Sequence, residues 1–282
     1  MANKEQLRIA VFGAHPADVI FHSAGTIAAH TARRDLVLAV PVTYGARHCN
    51  PFLAPTKERG YAPLEEVKER KLKETRAACE ILGAELRQLD FKDQIFVGNH
   101  EEIQVLTDII REFRPHVVIT HHPTDTAFSD QPDHAATGTA VMRAVKYANE
   151  WGAESSRPGW QVNTVLLWPG HHDTAMYRVT PYIAPANYYV DITEVISLKR
   201  KALRCLEGSM LVTEEAVDGI IAGTSARIGG AAGVAHAEEY VYTSPFVVKH
   251  LSLREIGPHR GMLLSPGWTL EQYEKLFPLT SP

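Results

Sequence analysis

The sequence predicts an α/β fold: a Rossmann-like, mostly parallel sheet flanked by helices. Three observations predict it. Short apolar runs of strand length alternate with longer stretches of helical period, as in a parallel sheet built from βαβ units. Three of these runs end in histidines, at His15, at His121 with His122, and at His171 with His172. The chain shows no internal repeat and no linker-like segment, so a single α/β domain over residues 1–282 is expected, with a loop-rich C-terminal segment from about 208 to 282 covering the sheet edge.

The elements follow in order. "LRIAVFGAH" is short and rich in Val, Ile and Phe, which suits a buried strand, and Gly25 to Ala32 reads as the helix after it. "LVLAVPVTYG" (Leu36 to Gly45) is a second buried strand, and Ala46 to Pro63 a long surface loop of the kind that carries function. "LEEVKERKLKETRAACEILGAE" has acid–base pairs at helical spacing and a glycine stop at Gly83. "LRQLDF" is a short strand, "EEIQVLTDIIREFRP" an amphipathic helix stopped by Pro115, and "HVVITHHP" another buried strand. "HAATGTAVMRAVKYANEW" is helical and "VNTVLLWPGHH" again a strand. "NYYVDITEVISLKRKALRCLEG" reads as strand then helix. "GTSARIGGAAGVAHAEEYVYTSPF" lacks clear periodicity and reads as a loop closing over the sheet edge.

Bulk properties narrow the function. With 29 basic and 33 acidic residues the net charge is −4, which argues against a phosphate-backbone binder, so no nucleic acid is expected as a partner. No apolar run approaches the ~18 residues that span a bilayer, and the start lacks a secretory pattern, so neither a membrane partner nor export is expected. Cys49, Cys79 and Cys205 are odd in number and far apart, which suits a reducing cytoplasm.

Parallel sheets bind ligands beyond the carboxyl ends of their strands, so the three histidine-bearing ends should converge on one edge. A catalytic metal site takes three nitrogen or oxygen ligands from the protein and leaves a position open. His15 and Asp18 share one tight turn, and "SDQPDHAATG" offers His134 at a helix start, with Asp133 beside it to orient a ligand. A His-x-x-Asp pair alone equally fits a helix-capping Asp18 and an ordinary loop histidine.

"AHPADVIFHSAGTIA" resembles the opening motif of the zinc-dependent deacetylase superfamily of PIG-L and LmbE-like proteins, commonly A-H-P-D-D-E, and Pro132-Asp133-His134 resembles its later P-D-H motif. Similarity continues in "RKLKETRAACEILGAE", "DITEVISLKRKALRC" and the Ala-Glu of "AHAEEY", so it runs from about Leu7 to about Tyr240. The resemblance implies a Rossmann-like fold with one Zn2+ per chain held by His15, Asp18 and His134. It also marks departures: Ala17 stands where the deacetylases carry a carboxylate base, Val19 where they usually carry Glu, and Gln131 where a histidine is usual. The 4-oxalomesaconate hydratase-like branch shares the first departure. It is similar to this chain in A-H-x-A-D (Ala14 to Asp18), in "YGAR" (Tyr44 to Arg47) and in Phe128 through His134, while Ala46 stands where that hydratase has glutamate.

Histidines are the natural replacement proton carriers, since an imidazole titrates near neutral pH. His171, His172 and His121 are the catalytic candidates, with Asp133 beside the metal. Arg47, whose guanidinium fork suits a carboxylate, His48 and Gln131 are the candidate substrate contacts. His22 and His30 fall to core or surface roles, and Glu238 reads as mainly structural. The expected function is a cytoplasmic zinc hydratase, a homo-oligomer adding water to a C=C bond of a small unsaturated oxo-carboxylic acid in aromatic-acid catabolism. The alternatives are a zinc N-deacetylase with a histidine for its base, and a metal-binding homologue without activity.

Overall fold

The computed structural model describes residues 6–47, 63–124, 132–150, 156–169, 186–206 and 213–244. Seven strands form one sheet: β1 (Arg8–Gly13), β2 (Leu36–Pro41), β3 (Glu85–Leu86), β4 (Val117–His121), β5 (Thr164–Trp168), β6 (Tyr188–Asp191) and β7 (Ala237–Tyr242). Their spatial order is β3-β2-β1-β4-β5-β7-β6. β1 to β5 are mutually parallel, and β7 runs antiparallel to both β5 and β6. The order reverses between β1 and β4, and such a switch point opens a crevice outside the strands' carboxyl ends.

Helices α1 (Pro16–Ala32), α2 (Leu64–Leu82), α5 (Ile196–Arg204) and α6 (Glu214–Ile221) contribute to an apolar core on one face of the sheet, together with Ile9, Val11, Val37 and Ile119. The alternate strand residues Ala10, Phe12, Leu38, Val40 and Val118 face the other way, onto α3 (His100–Phe113) and α4 (Pro132–Asn149). Burial on both faces explains why these strands read as continuous apolar runs. The two helices of the second layer are tied by Arg111. Its buried guanidinium donates to the carbonyls of Tyr147 and Ala148 in the last turn of α4, of Glu150 just beyond it, and of Arg157.

Three readings of local structure are corrected. α1 begins at Pro16, not Gly25: proline fixes φ at the first helical position, and Asp18 accepts the His15 main-chain N–H at 2.7 Å, a start signal embedded in the motif itself. The strand expected in "LRQLDF" pairs regularly only at Glu85–Leu86. It continues as single bonds from Arg87 and Leu89 N–H to Ala39 and Pro41 of β2, and from Phe91 N–H to Val42 just after it. The stretch from Gly223, read as a loop, forms a π-helical turn (Ala222–Ala226), α7 (Arg227–Ala232) and β7, which enters the sheet between β5 and β6 instead of capping its edge. Its short helix ends at Gly233, and the strand's charged residues, Glu238 and Glu239, mask the apolar pattern. Among the described residues no helix is long and apolar enough to cross a membrane.

Candidate metal centre

β1 ends at Gly13, and two residues later His15 caps α1 in an extended conformation (φ −125°, ψ 161°). The helix's first turn then carries Asp18 back beneath it, with His15 Nδ1 3.3 Å from Asp18 Oδ2. The three-residue spacing is thus the geometry of a cap and its N3 residue. From the other side of the switch point, β4 ends in His121 and α4 starts with Asp133 and His134 in its first turn. α4 approaches closely because Gly138 has no side chain: a Cβ there would lie 2.4 Å from the His121 carbonyl oxygen.

His134 Nε2 consequently stands 3.6 Å from Asp18 Oδ1. One ligand atom from each of His15, Asp18 and His134 lies within 4.8 Å of the others, and all three residues are buried. Two imidazoles and a carboxylate form a donor set suited to zinc and related divalent ions, and three protein ligands are the number found in catalytic sites. His15 Nε2 is 3.2 Å from Asp133 Oδ2, so a proton on Nε2 is engaged there and Nδ1 is turned toward Asp18. The residues therefore fit a metal ion.

Electrostatics agree with this fit. Burial disfavours the Asp18 carboxylate, but His134 and His15 overcome it and hold Asp18 well below the ordinary range. Burial likewise opposes the His15 imidazolium, yet Asp18 and Asp133 raise its pKa to about 9. In the metal-free protein the folded pKa of His15 thus exceeds its unfolded value of 6.5. Its contribution to stability is complete below about 6.5 and is lost as the pH rises through about 9. A metal must displace that proton. Zn2+ binding at pH 7 is expected to release about one proton from this site and to tighten as the pH rises toward 9, read by calorimetry in buffers of different ionisation enthalpy.

Outside the three residues lies a wall of rings. His121 stacks on His134 (centroids 4.2 Å apart), and its Nε2 lies 3.1 Å from the Ala14 N–H and 3.2 Å from Asp18 Oδ2. Trp168, the last residue of β5, meets His121 edge-on at 4.7 Å, and His22 stacks on Trp168 at 5.1 Å. His121 is 1% exposed, a place from which it steadies Asp18 and His134. His22 shares a helix face with Asp18 one turn earlier, and its ring stacks on Trp168 beside the centre.

On the opposite flank, the Tyr44–Arg47 loop lies against His15. Gly45 adopts φ +57°, and a Cβ there would come within 2.9 Å of the His15 ring. Gly45→Ala is therefore expected to displace the ring and weaken Zn2+ binding by about tenfold or more, the scale of losses from disturbed ligand orientation, as measured by chelator competition. Arg47 donates its main-chain N–H to Asp93 Oδ2 (2.6 Å) and Nη1 to Asp93 Oδ1 (3.1 Å), while its side chain remains 43% exposed. Ala17, partly buried, packs against the core in the first turn of α1, and Val19 is fully buried, so neither position offers a carboxylate. His48, Gln131, His171 and His172 lie outside the described residues. Asp93, Gln94 and Trp168 were missed by the sequence reading; they carry no motif, and only their contacts single them out.

A family model described as PIG-L, GlcNAc-PI de-N-acetylase, matches residues 10–145. The chain is 24% identical over 261 residues to a 4-oxalmesaconate hydratase of Pseudomonas putida, covering 89% of this chain and 94% of that protein. It is 33% identical over 212 residues to a probable N-acetyl-alpha-D-glucosaminyl L-malate deacetylase 2 of Bacillus anthracis, covering 71% of this chain and 80% of that one. Among solved structures, the 4-carboxy-2-hydroxymuconate hydratase of Pseudomonas putida superposes with a TM-score of 0.73 at 21% identity, over 88% of this chain and all of that one.

Proposed function

The chain belongs to the PIG-L family, and from that premise we propose that it is a zinc-dependent hydratase adding water to a C=C bond of a small unsaturated oxo-carboxylic acid. One observation carries the reading: a complete His15–Asp18–His134 set stands beside Ala17, which puts no carboxylate at the position where the resembling deacetylases place their base. Similarity to a hydratase across most of both chains supports it.

Zn2+ held by these three residues supplies Lewis acidity to a carbonyl or enolate oxygen of the substrate. Asp133 holds His15 in the tautomer that ligation requires, and His121 packs His134 in place. Arg47, fixed by Asp93 and half-exposed, takes a substrate carboxylate. Proton transfer to and from the substrate carbons falls to His171 and His172, which follow the β5 segment in the sequence, with His48 and Gln131 as further substrate contacts. The product is a hydroxylated oxo-acid formed in the cytoplasm as a step of aromatic-acid catabolism, by a homo-oligomer.

Incubation of the zinc-loaded protein with an unsaturated oxo-dicarboxylic acid is expected to remove the conjugated absorbance without an added cofactor. The 33% identity to a deacetylase favours a second reading, in which a histidine serves as the base of an N-deacetylase. Acetate release from an N-acetylglucosaminyl substrate, with the conjugated absorbance unchanged, would establish that reading and overturn the first.

A further inference from the structure

Two adjacent residues between β3 and α3 contact both Arg47 and Asp133. Asp93 is 4% exposed and binds the Arg47 main chain and guanidinium through its two oxygens. Gln94 has φ +69°, a left-handed conformation that residues bearing a Cβ rarely adopt. That conformation sends its N–H to Asp133 Oδ2 at 2.7 Å, the same oxygen that faces His15 Nε2, while its side-chain Nε2 donates to the Arg47 carbonyl at 3.0 Å. On either side of the pair Phe91 and Phe96 stack face to face (centroids 5.5 Å), and Phe96 is buried, so the turn is pinned to the core.

Strained backbone persists only where its surroundings over-determine it, and it concentrates at functional sites. We infer that Asp93-Gln94 is a positioning bracket: the Gln94 main-chain N–H aims Asp133 at His15, while Asp93 and the Gln94 side chain fix Arg47, so that one turn sets the metal ligand and the anion-binding arm together. The inference rests on the metal centre and the Arg47 role proposed above. It names Asp93 and Gln94 as residues that act through Asp133, His15 and Arg47 without touching the substrate.

The test measures Zn2+ affinity by chelator competition and binding of oxaloacetate, a small oxo-dicarboxylate, by calorimetry on the full chain. Gln94→Gly keeps the N–H and suits the positive φ; Zn2+ affinity should stay within about twofold while oxaloacetate binding weakens. Asp93→Asn should weaken oxaloacetate binding by about tenfold with Zn2+ affinity again within twofold, the carboxylate's hold on the guanidinium being charge-assisted. Gln94→Pro removes the N–H and imposes a negative φ, and should lower Zn2+ affinity by about 10- to 100-fold. Combined with Asp133→Ala, Gln94→Pro should add no further loss of Zn2+ affinity, because both changes cut the same connection. Additive losses in that cycle, or Asp93→Asn lowering Zn2+ and oxaloacetate binding equally, would overturn the bracket. If Gln94→Pro does not fold, the split between the two affinities in Asp93→Asn and Gln94→Gly decides. A wild-type chain that takes up no Zn2+ would refute the metal centre itself, an outcome distinct from variants that bind it as the wild type does.

Discussion

His134→Ala is expected to abolish metal uptake and activity together. The substitution removes one of the two imidazoles whose ligand atoms, with Asp18, converge within 4.8 Å, leaving a single histidine and a carboxylate. Loss of an outer partner typically costs a metal site ~10–100-fold in affinity, so loss of a ligand should exceed that range. Zinc per chain should fall from about one to background after gel filtration, and turnover with it. The fold should survive, because His134 lies in the first turn of α4 while that helix is held elsewhere by the core and by Arg111 at its far end. Asp133→Ala offers the contrast. It leaves all three ligands in place but removes the group that engages His15 Nε2, so zinc should be retained at higher free-metal concentration while turnover drops. Full zinc occupancy in His134→Ala would sink the ligand assignment.

Lys199→Met is expected to produce the largest loss of stability. Lys199 and Glu238 form a fully buried ion pair at 2.7 Å. The pair reaches into α1: Lys199 Nζ donates to the Phe21 carbonyl at 2.8 Å, and Glu238 accepts from Gly25 N–H at 2.9 Å and from Thr26 N–H at 2.7 Å. Phe21, Gly25 and Thr26 all lie within α1, so the pair anchors β7 and α5 to the main chain of that helix. Beside it, the Tyr240 hydroxyl is 2.7 Å from Thr26 Oγ1 and 3.1 Å from Ser23 Oγ, which accepts from the Trp168 indole. Burial, with Glu238 adding to it, drives the Tyr240 phenol well above its usual value and keeps it neutral.

Removing one partner of such a pair leaves a buried charge uncompensated, at a cost of about 3–5 kcal/mol. In urea the midpoint should fall with an unchanged m-value, the signature of lost stability without a change of mechanism. A loss below about 1 kcal/mol, the scale of an exposed pair, would show that the pair contributes no more than a surface salt bridge. Glu238, read from the sequence as mainly structural, has that role in the described fold, but its placement depends on β7.

How far the sequence could be read follows from which interactions are local. β1, β2, β4 and β5 were legible because burial on both faces writes a run of Val, Ile, Leu and Phe directly into the chain. β7 was not, because Glu238 and Glu239 interrupt its buried residues and Glu238 is buried itself, where Lys199 from a distant helix makes the charge tolerable. The start of α1 was written locally in Pro16 and Asp18, yet it was obscured because the same residues also spelled a metal motif. The metal trio was legible because His15 and Asp18 share one turn and Asp133 and His134 another. Asp93 and Gln94 were silent, since neither a lone aspartate nor a glutamine with positive φ has a local signature.

The sequence by itself determined the alternating α/β layout, the three convergent strand ends and the residue types of the centre, because periodicity and turn chemistry act within a few neighbouring residues. Only the tertiary structure decided that Asp133 engages His15, that Trp168 and His22 wall one flank while Asp93 and Gln94 brace the other, and that an ion pair from α5 and β7 enters α1. Each of those joins groups far apart in the chain, and what brings them together is the strand order of the sheet and the close approach of α4 to the end of β4, which no local pattern encodes.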